Sequence, residues 1–270
     1  MTATTLTTGP RATAPVPAAA RPGVGDTFAL VGRSLRHSTR QLDTVLISVL
    51  LPVMLLLMFV YVFGGAIDST GRYVDFVVPG IILLTSGYGA AGTAVDVATD
   101  ATGGIVDRFR SMPIRPTGVL TGHVAASLAK NAISTALVIG VALLVGFRGD
   151  ASAGAWVAAL GLVALWVLAL TWVAVAIGLV ASGPEAASGF TFAILFLPYV
   201  SSAFVAPATM PAVLETIAGY NPVTPVTDTV RGLLLGMPVS TGTWVAALAW
   251  CVGILVVGRA AAALLFRRAT

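Results

Sequence analysis

Six long apolar stretches, nearly free of charge, dictate what this chain can fold into: Val45 to Phe63, Phe76 to Val95, Asn131 to Phe147, Ala151 to Glu185, Ala186 to Leu214 and Gly232 to Gly258. Each approaches or exceeds the roughly 20 residues that carry a helix across a bilayer. Charged residues make up only 10% of the chain, hydrophobic ones 57%, and the mean hydropathy is +0.95. No soluble core of this length encloses that much apolar surface. None of the stretches alternates polar with apolar residues, which excludes a transmembrane barrel and leaves helices to satisfy the backbone inside lipid. The chain is expected to be an all-α polytopic membrane protein with six transmembrane helices.

Arginines mark the two sides of the membrane, because loops rich in them stay in the cytoplasm. Arg11, Arg21, Arg33, Arg36 and Arg40 precede the first stretch, Arg108, Arg110 and Arg115 follow the second, and Arg259, Arg267 and Arg268 lie near or beyond the sixth. The intervening connections carry only Arg72, Arg148 and Arg231. Both termini are therefore expected in the cytoplasm. The sequence pI near 9.7 has the same origin and points to anionic lipid, not nucleic acid. Residues 1–25, rich in Ala, Thr and Pro and without the apolar run of a signal peptide, are expected to form a disordered tail. Residues 26–270 then form a single transmembrane domain. Cys251 is alone and cannot form an internal disulfide.

Three segments outside the stretches carry information. Across residues 26–43, Phe28, Val31, Leu35 and Leu42 share one helical face while Arg33, Arg36, His37 and Arg40 share the other. Such an interfacial helix serves either as a membrane anchor alone or as a surface whose arginines meet lipid phosphates or a partner's acidic groups. In the inner loop, residues 103–116, Gly103 and Gly104 allow a turn, Ile105, Phe109 and Met112 can share a face, and Pro113 stops the helix. This knob suits docking on a partner; snorkelling of Phe109 and Met112 into the leaflet is the alternative. Before the last stretch, Pro198, Pro207, Pro211, Pro222 and Pro225 should break the chain into short helices at the outer surface, with Met210 to Ala218 and Thr224 to Leu235 as candidates. A cap over a pathway and a structural re-entrant turn both fit.

Two motifs within these segments bear a family pattern. Asp107, Arg108, Phe109, Arg110, Ser111, Met112, Pro113 and Ile114 run acidic, basic, apolar, basic, small, apolar, Pro, Ile; Asn221, Pro222, Val223, Thr224, Pro225, Val226, Thr227, Asp228, Thr229, Val230, Arg231 and Gly232 precede the last stretch. With six spans and an amphipathic lead-in helix, nearly everything after Asp26 resembles the permease subunits of type II ABC exporters. That group includes daunorubicin-resistance-like drug exporters of actinobacteria and polysaccharide exporters.

The resemblance implies a half-transporter in the bacterial plasma membrane, exporting a hydrophobic drug, antibiotic or lipid, with a polysaccharide or glycolipid as the alternative cargo. Two permease chains, expected to be a homodimer, form the pathway above two separate ABC ATPase subunits, which hold the ATP and Mg. The inner loop corresponds to the family's coupling helix, so Ile105, Asp107, Arg108, Phe109, Arg110, Met112, Pro113 and Ile114 are the expected ATPase contacts, joined by Arg33, Arg36 and Arg40 as partner or lipid contacts. Asn221, Pro222, Asp228 and Arg231 mark the outer re-entrant motif. Pro225 departs from the family's pattern and puts the start of the outer helix later. Spans two and five are expected to line the route, through Thr85, Ser86, Tyr88 and Thr93 and through Phe192, Phe196 and Tyr199; plain helix packing is the other reading of the same residues.

Other classes fit less well. The chain lacks a Gly-x-x-x-x-Gly-Lys phosphate loop, and its only lysine, Lys130, has no glycines arranged to cradle phosphate. No cofactor or metal is expected in the chain itself. A membrane enzyme would need clustered ligands or a nucleophile with its base, yet His37 and His123 stand far apart. A proton-driven secondary transporter would place a carboxylate deep in a span, whereas Asp75 and Asp96 bracket the second one and Glu185 falls in an inner turn. Lys130, beside Asn131 near the inner end of span three, is read as a snorkelling anchor or a pathway residue. An aromatic content of only 8% favours a drug or lipid over a carbohydrate.

Overall fold

The computed structural model describes residues 42–68, 71–103 and 117–268, whose regular structure is entirely helical. Helix α1, Leu42–Leu57, runs into a π-helical turn, Met58–Phe63, and a last turn, Gly64–Ile67. It is followed by α2 (Tyr73–Thr102), α3 (Thr117–Val145), α4 (Ala153–Val180), α5 (Pro184–Phe196), α6 (Ala212–Tyr220), α7 (Val223–Leu234) and α8 (Thr241–Arg268). The amphipathic helix expected over residues 26–43 lies outside the described residues apart from its last two, and the loop 103–116 outside them apart from Gly103.

Among the described residues, five helices are long and apolar enough to cross a membrane: Val49–Ile67, Tyr73–Thr102, Leu120–Val145, Ala153–Val180 and Thr241–Arg267. The stretch Ala186 to Leu214 is not one long helix. It holds most of the 13-residue α5, the 3-10 turn Leu197–Val200, an irregular segment and the turn Pro207–Thr209 before α6 begins. Pro198, Pro207 and Pro211 each lack the amide a continuing helix would use.

Two other boundaries also move. The third span begins well before Asn131, because Lys130 finds a partner on α2 and Asn131 bonds back to Ser127 one turn earlier in α3, so neither ends the helix. The sixth begins at Thr241 and not at Gly232, which belongs to α7. Gly236, at φ +65°, closes α7, with the Met237 amide bonded to the Gly232 carbonyl at 2.8 Å. Gly146, at φ +113°, closes α3 through the equivalent bond from Phe147 to Ala142, 2.9 Å. Both are glycine-terminated caps that tie up carbonyls the helix would leave orphaned. Pro225 does not delay α7: it occupies the first helical turn, where no backbone donor is required.

Helix α2 is the most enclosed span, and α4 packs along it on one side and against α8 on the other. Lipid provides no hydrophobic drive for such contacts, so close approach at small residues supplies it. A Cβ at Gly178 of α4 would lie 2.6 Å from the Ala94 carbonyl of α2, and one at Gly258 of α8 would lie 2.9 Å from the Val173 amide of α4. The bundle has a loop end, where α2 finishes at Thr102 and α3 starts at Thr117, and a far end, where α2 begins beside α7 and the turn after α5.

Candidate functional site

At the far end the chain between α5 and α7 is irregular, and its carbonyls need donors. Asn221 supplies two, its Nδ2 bonding the Leu197 and Val200 carbonyls at 2.8 and 2.6 Å, while its Oδ1 accepts from the Val223 amide at 2.9 Å to start α7. Arg231, one helical turn past Asp228, donates from Nη1 to Asp228 at 2.7 Å, from Nη2 to the Ser202 carbonyl at 2.6 Å and from Nε to the Phe76 carbonyl of α2 at 3.1 Å. Its guanidinium also lies 3.9 Å over the Phe76 ring. Ser202 donates to Asp228 at 2.7 Å, and the Tyr73 hydroxyl donates to the Phe204 carbonyl at 2.7 Å. Burial pulls the Arg231 pKa down from its ordinary value while Asp228 opposes that shift. A guanidinium stays charged regardless. Asn221, Asp228 and Arg231 thus form a clamp that closes a broken chain onto α2, and Pro222 stands at the N-terminal boundary of α7.

The residues expected to line a route fall into two groups. Thr85, Ser86 and Thr93 are buried within the helix bundle, their hydroxyls donating to Ile81, Ile82 and Gly89 carbonyls one turn back. Phe192, Phe196 and Tyr199 are instead exposed, by 59%, 53% and 37%. Their rings touch in series, 5.0 and 6.1 Å apart, and continue through Phe204 to Phe59 of the π-helical turn, 5.2 and 4.6 Å apart. Tyr88 lies beside Tyr199 and joins this aromatic row. Arg33, Arg36, Arg40, Ile105, Asp107, Arg108, Phe109, Arg110, Met112, Pro113 and Ile114 all lie outside the described residues.

Sequence reasoning missed a polar seam between α2 and α3. His123 Nε2 is 3.1 Å from Asp100, and Lys130 Nζ donates to Asp96 at 3.2 Å. Thr93 Oγ1 lies within hydrogen-bond distance of Ser127 Oγ, 2.8 Å, and Ser127 meets Thr171 of α4 at 3.1 Å. The Asn131 side chain covers Gly89, where any Cβ would collide with it. The signal was present in the spacing: Gly89, Thr93, Asp96 and Asp100 recur every three or four residues, and in α3 His123, Ser127 and then either Lys130 or Asn131 do the same, so each set forms one helical face.

The described residues thus hold five candidate membrane-crossing helices and a clamped, broken chain between α5 and α7, and comparison with known proteins identifies the class. Residues 26–235 match the ABC-2 type transporter family, and the chain belongs to that family as a permease. It is 34% identical over 206 residues to the Daunorubicin resistance ABC transporter permease protein DrrB1 of Streptomyces coeruleorubidus, covering 76% of this chain and 72% of that one. It is 22% identical over 259 residues to the Probable doxorubicin resistance ABC transporter permease protein DrrC of Mycobacterium tuberculosis, covering 93% of this chain and 92% of that one. Membership of the family implies an ATPase partner.

Proposed function

We propose that this permease exports a hydrophobic drug, antibiotic or lipid across the bacterial plasma membrane, as a homodimer above two ABC ATPase subunits that carry the ATP and Mg. The likeness to drug-resistance permeases over three-quarters of the chain carries this reading. The exposed aromatic row of α5 supports it, because flat rings in contact with one another offer a broad apolar face to a flat or greasy cargo. Phe192, Phe196, Tyr199 and Tyr88 are the lining residues of this proposal. Thr85, Ser86 and Thr93 serve packing.

In this reading α5 with the turn Leu197–Val200 makes the sixth crossing. Thirteen α-helical residues rise about 20 Å and four 3-10 residues about 8 Å, close to the roughly 30 Å of hydrocarbon. The contacts run the right way: Gly178, just before α5, meets the loop-end half of α2 at Ala94, whereas Ala203, just after the turn, meets its far-end half at Gly80. The loop end then faces the cytoplasm with both termini, in keeping with its arginines. Residues 103–116 dock on the ATPase through Phe109 and its basic neighbours, with Arg33, Arg36 and Arg40 against the same partner or lipid.

The test is reconstitution of the permease with its ATPase, using daunorubicin and doxorubicin as probes. ATP turnover should rise with drug, and F109D/R110E should lose both assembly and the rise. Turnover indifferent to both drugs removes the cargo assignment, and a double variant that assembles and turns over normally removes the docking loop.

A further inference from the structure

The seam between α2 and α3 has a property that plain packing lacks. Two apolar helices in lipid have little to fix their axial register, since one leucine-lined turn fits nearly as well as the next. Polar rungs do fix it. Asp100–His123, Asp96–Lys130 and Thr93–Ser127 follow one another from the loop end inward, and a slip of one turn, about 5.4 Å, would break all three. Lys130 and Asp96 would then stand unpaired at the edge of the hydrocarbon, a costly position for an ion. At the opposite end of the same hairpin the Arg148 amide, just past α3, donates to the Asp75 carboxylate of α2 at 3.2 Å. The two helices are pinned at both ends, and Ser127 ties the seam to Thr171 of α4.

We propose that Asp96, Asp100, His123 and Lys130 are positioning residues for transport: by locking the register of α2 against α3, they make the hairpin one stiff lever that carries the ATPase's stroke along α2 to the far-end clamp. The proposal rests on the reading that the loop joining these helices docks on the ATPase. A lever is needed there because a stem whose helices slide absorbs the displacement instead of transmitting it. None of the four touches cargo in this scheme. Their role is seen only in how far a nucleotide-driven change travels.

The experiment uses the full permease–ATPase complex and a readout independent of cargo: the ATP-dependent change in amide exchange at residues 201–206 of the clamp. D96C/K130C removes the ion pair and permits its replacement by a short bifunctional thiol reagent; Cys251, the only native cysteine, is buried and stays unmodified. In the uncrosslinked variant the ATPase should still co-purify, but the ATP-dependent change at the clamp should fall about tenfold, a typical coupling loss. Crosslinking should restore it. A variant that couples normally without the crosslink, a crosslinked one that stays uncoupled, or a wild-type clamp unmoved by ATP overturns the proposal. If D96C/K130C does not accumulate, the charge swap D96K/K130D decides: recovery above K130M supports the lever, and none refutes it. Failure of the docking-loop reading shows separately, because F109D/R110E would then leave assembly intact whatever the stem variants do.

Discussion

Replacing Arg231 by glutamine tests the far-end clamp most directly. The native guanidinium serves the Ser202 carbonyl, the Phe76 carbonyl and the Asp228 carboxylate together and stacks on Phe76. A glutamine reaches at most one of those acceptors. An orphaned buried carbonyl costs about 1–3 kcal/mol, and the lost cation–π contact about 0.5–1 kcal/mol. The Asp228 side chain is 39% exposed, so water screens its loss of a counter-ion and that contribution stays at or below about 1 kcal/mol. The clamp should therefore open more easily by about 3 kcal/mol, or about 150-fold. In a nanodisc, amide exchange at residues 201–206 and 223–234 should accelerate by about that factor, while the loop-end half of α4 around Val175, packed in a separate cluster with Val97 and Val124, keeps its protection. R231K should fall between, since an ammonium cannot span three separated acceptors. Exchange in R231Q within about threefold of wild type would refute the assignment of Arg231 as the closing contact, since that is under about 0.7 kcal/mol.

Two further outcomes follow from the same geometry. Asn221→Ala removes both donors from the Leu197 and Val200 carbonyls, and exchange at residues 197–204 should rise about tenfold or more; Asn221→Asp, which keeps the acceptor but not the donors, should behave alike. Gly178→Val drives a side chain into the Ala94 carbonyl and Val97 and should shorten the thermal half-life of the detergent-solubilised protein, whereas Gly92→Ala, with open space around it, should leave that half-life unchanged.

Much of the bundle was readable because a run of apolar residues in lipid has one stable backbone choice. What misled was the treatment of polar residues as boundaries. Lys130 and Asn131 looked like the end of a span, yet they sit within α3: Asp96 pairs with Lys130 from another helix, which hydropathy along a single segment cannot see, and the Asn131 amide bonds the Ser127 carbonyl of its own helix. Gly232 looked like the start of the sixth span because its neighbours are apolar, but the positive φ at Gly236 separates α7 from α8. In α2, the Thr85 and Ser86 hydroxyls return to their own helix, an arrangement open to any Thr or Ser in a span, so composition there does not separate a lined route from plain packing. The motif from Asn221 to Arg231 was visible as a pattern. Its function as a set of donors for a broken chain was not, since the acceptors lie up to 155 residues away in sequence.

Among the described elements, α2 is the one that belongs to both polar assemblies, and in the proposed lever this sets how a displacement at one end reaches the other. At the far end Tyr73 holds Phe204, Phe76 holds Arg231, and Gly80 lies so near Ala203 that an added Cβ would be 2.5 Å from its carbonyl oxygen. At the loop end the same helix is registered against α3 through Thr93, Asp96 and Asp100. Its 30 residues span about 45 Å, more than the hydrocarbon thickness. An α-helix of this length resists axial compression far more than it resists sliding against apolar neighbours, so restraints at its two ends act on one body. The interruption is Pro79, which lacks the amide that would bond the Asp75 carbonyl, but the Asp75 side chain is anchored to the end of α3 through Arg148. The weak point of the helix is thus braced by the same hairpin that the loop-end rungs hold in register, and in the proposed lever a push delivered at Thr102 travels to the clamp along that braced helix.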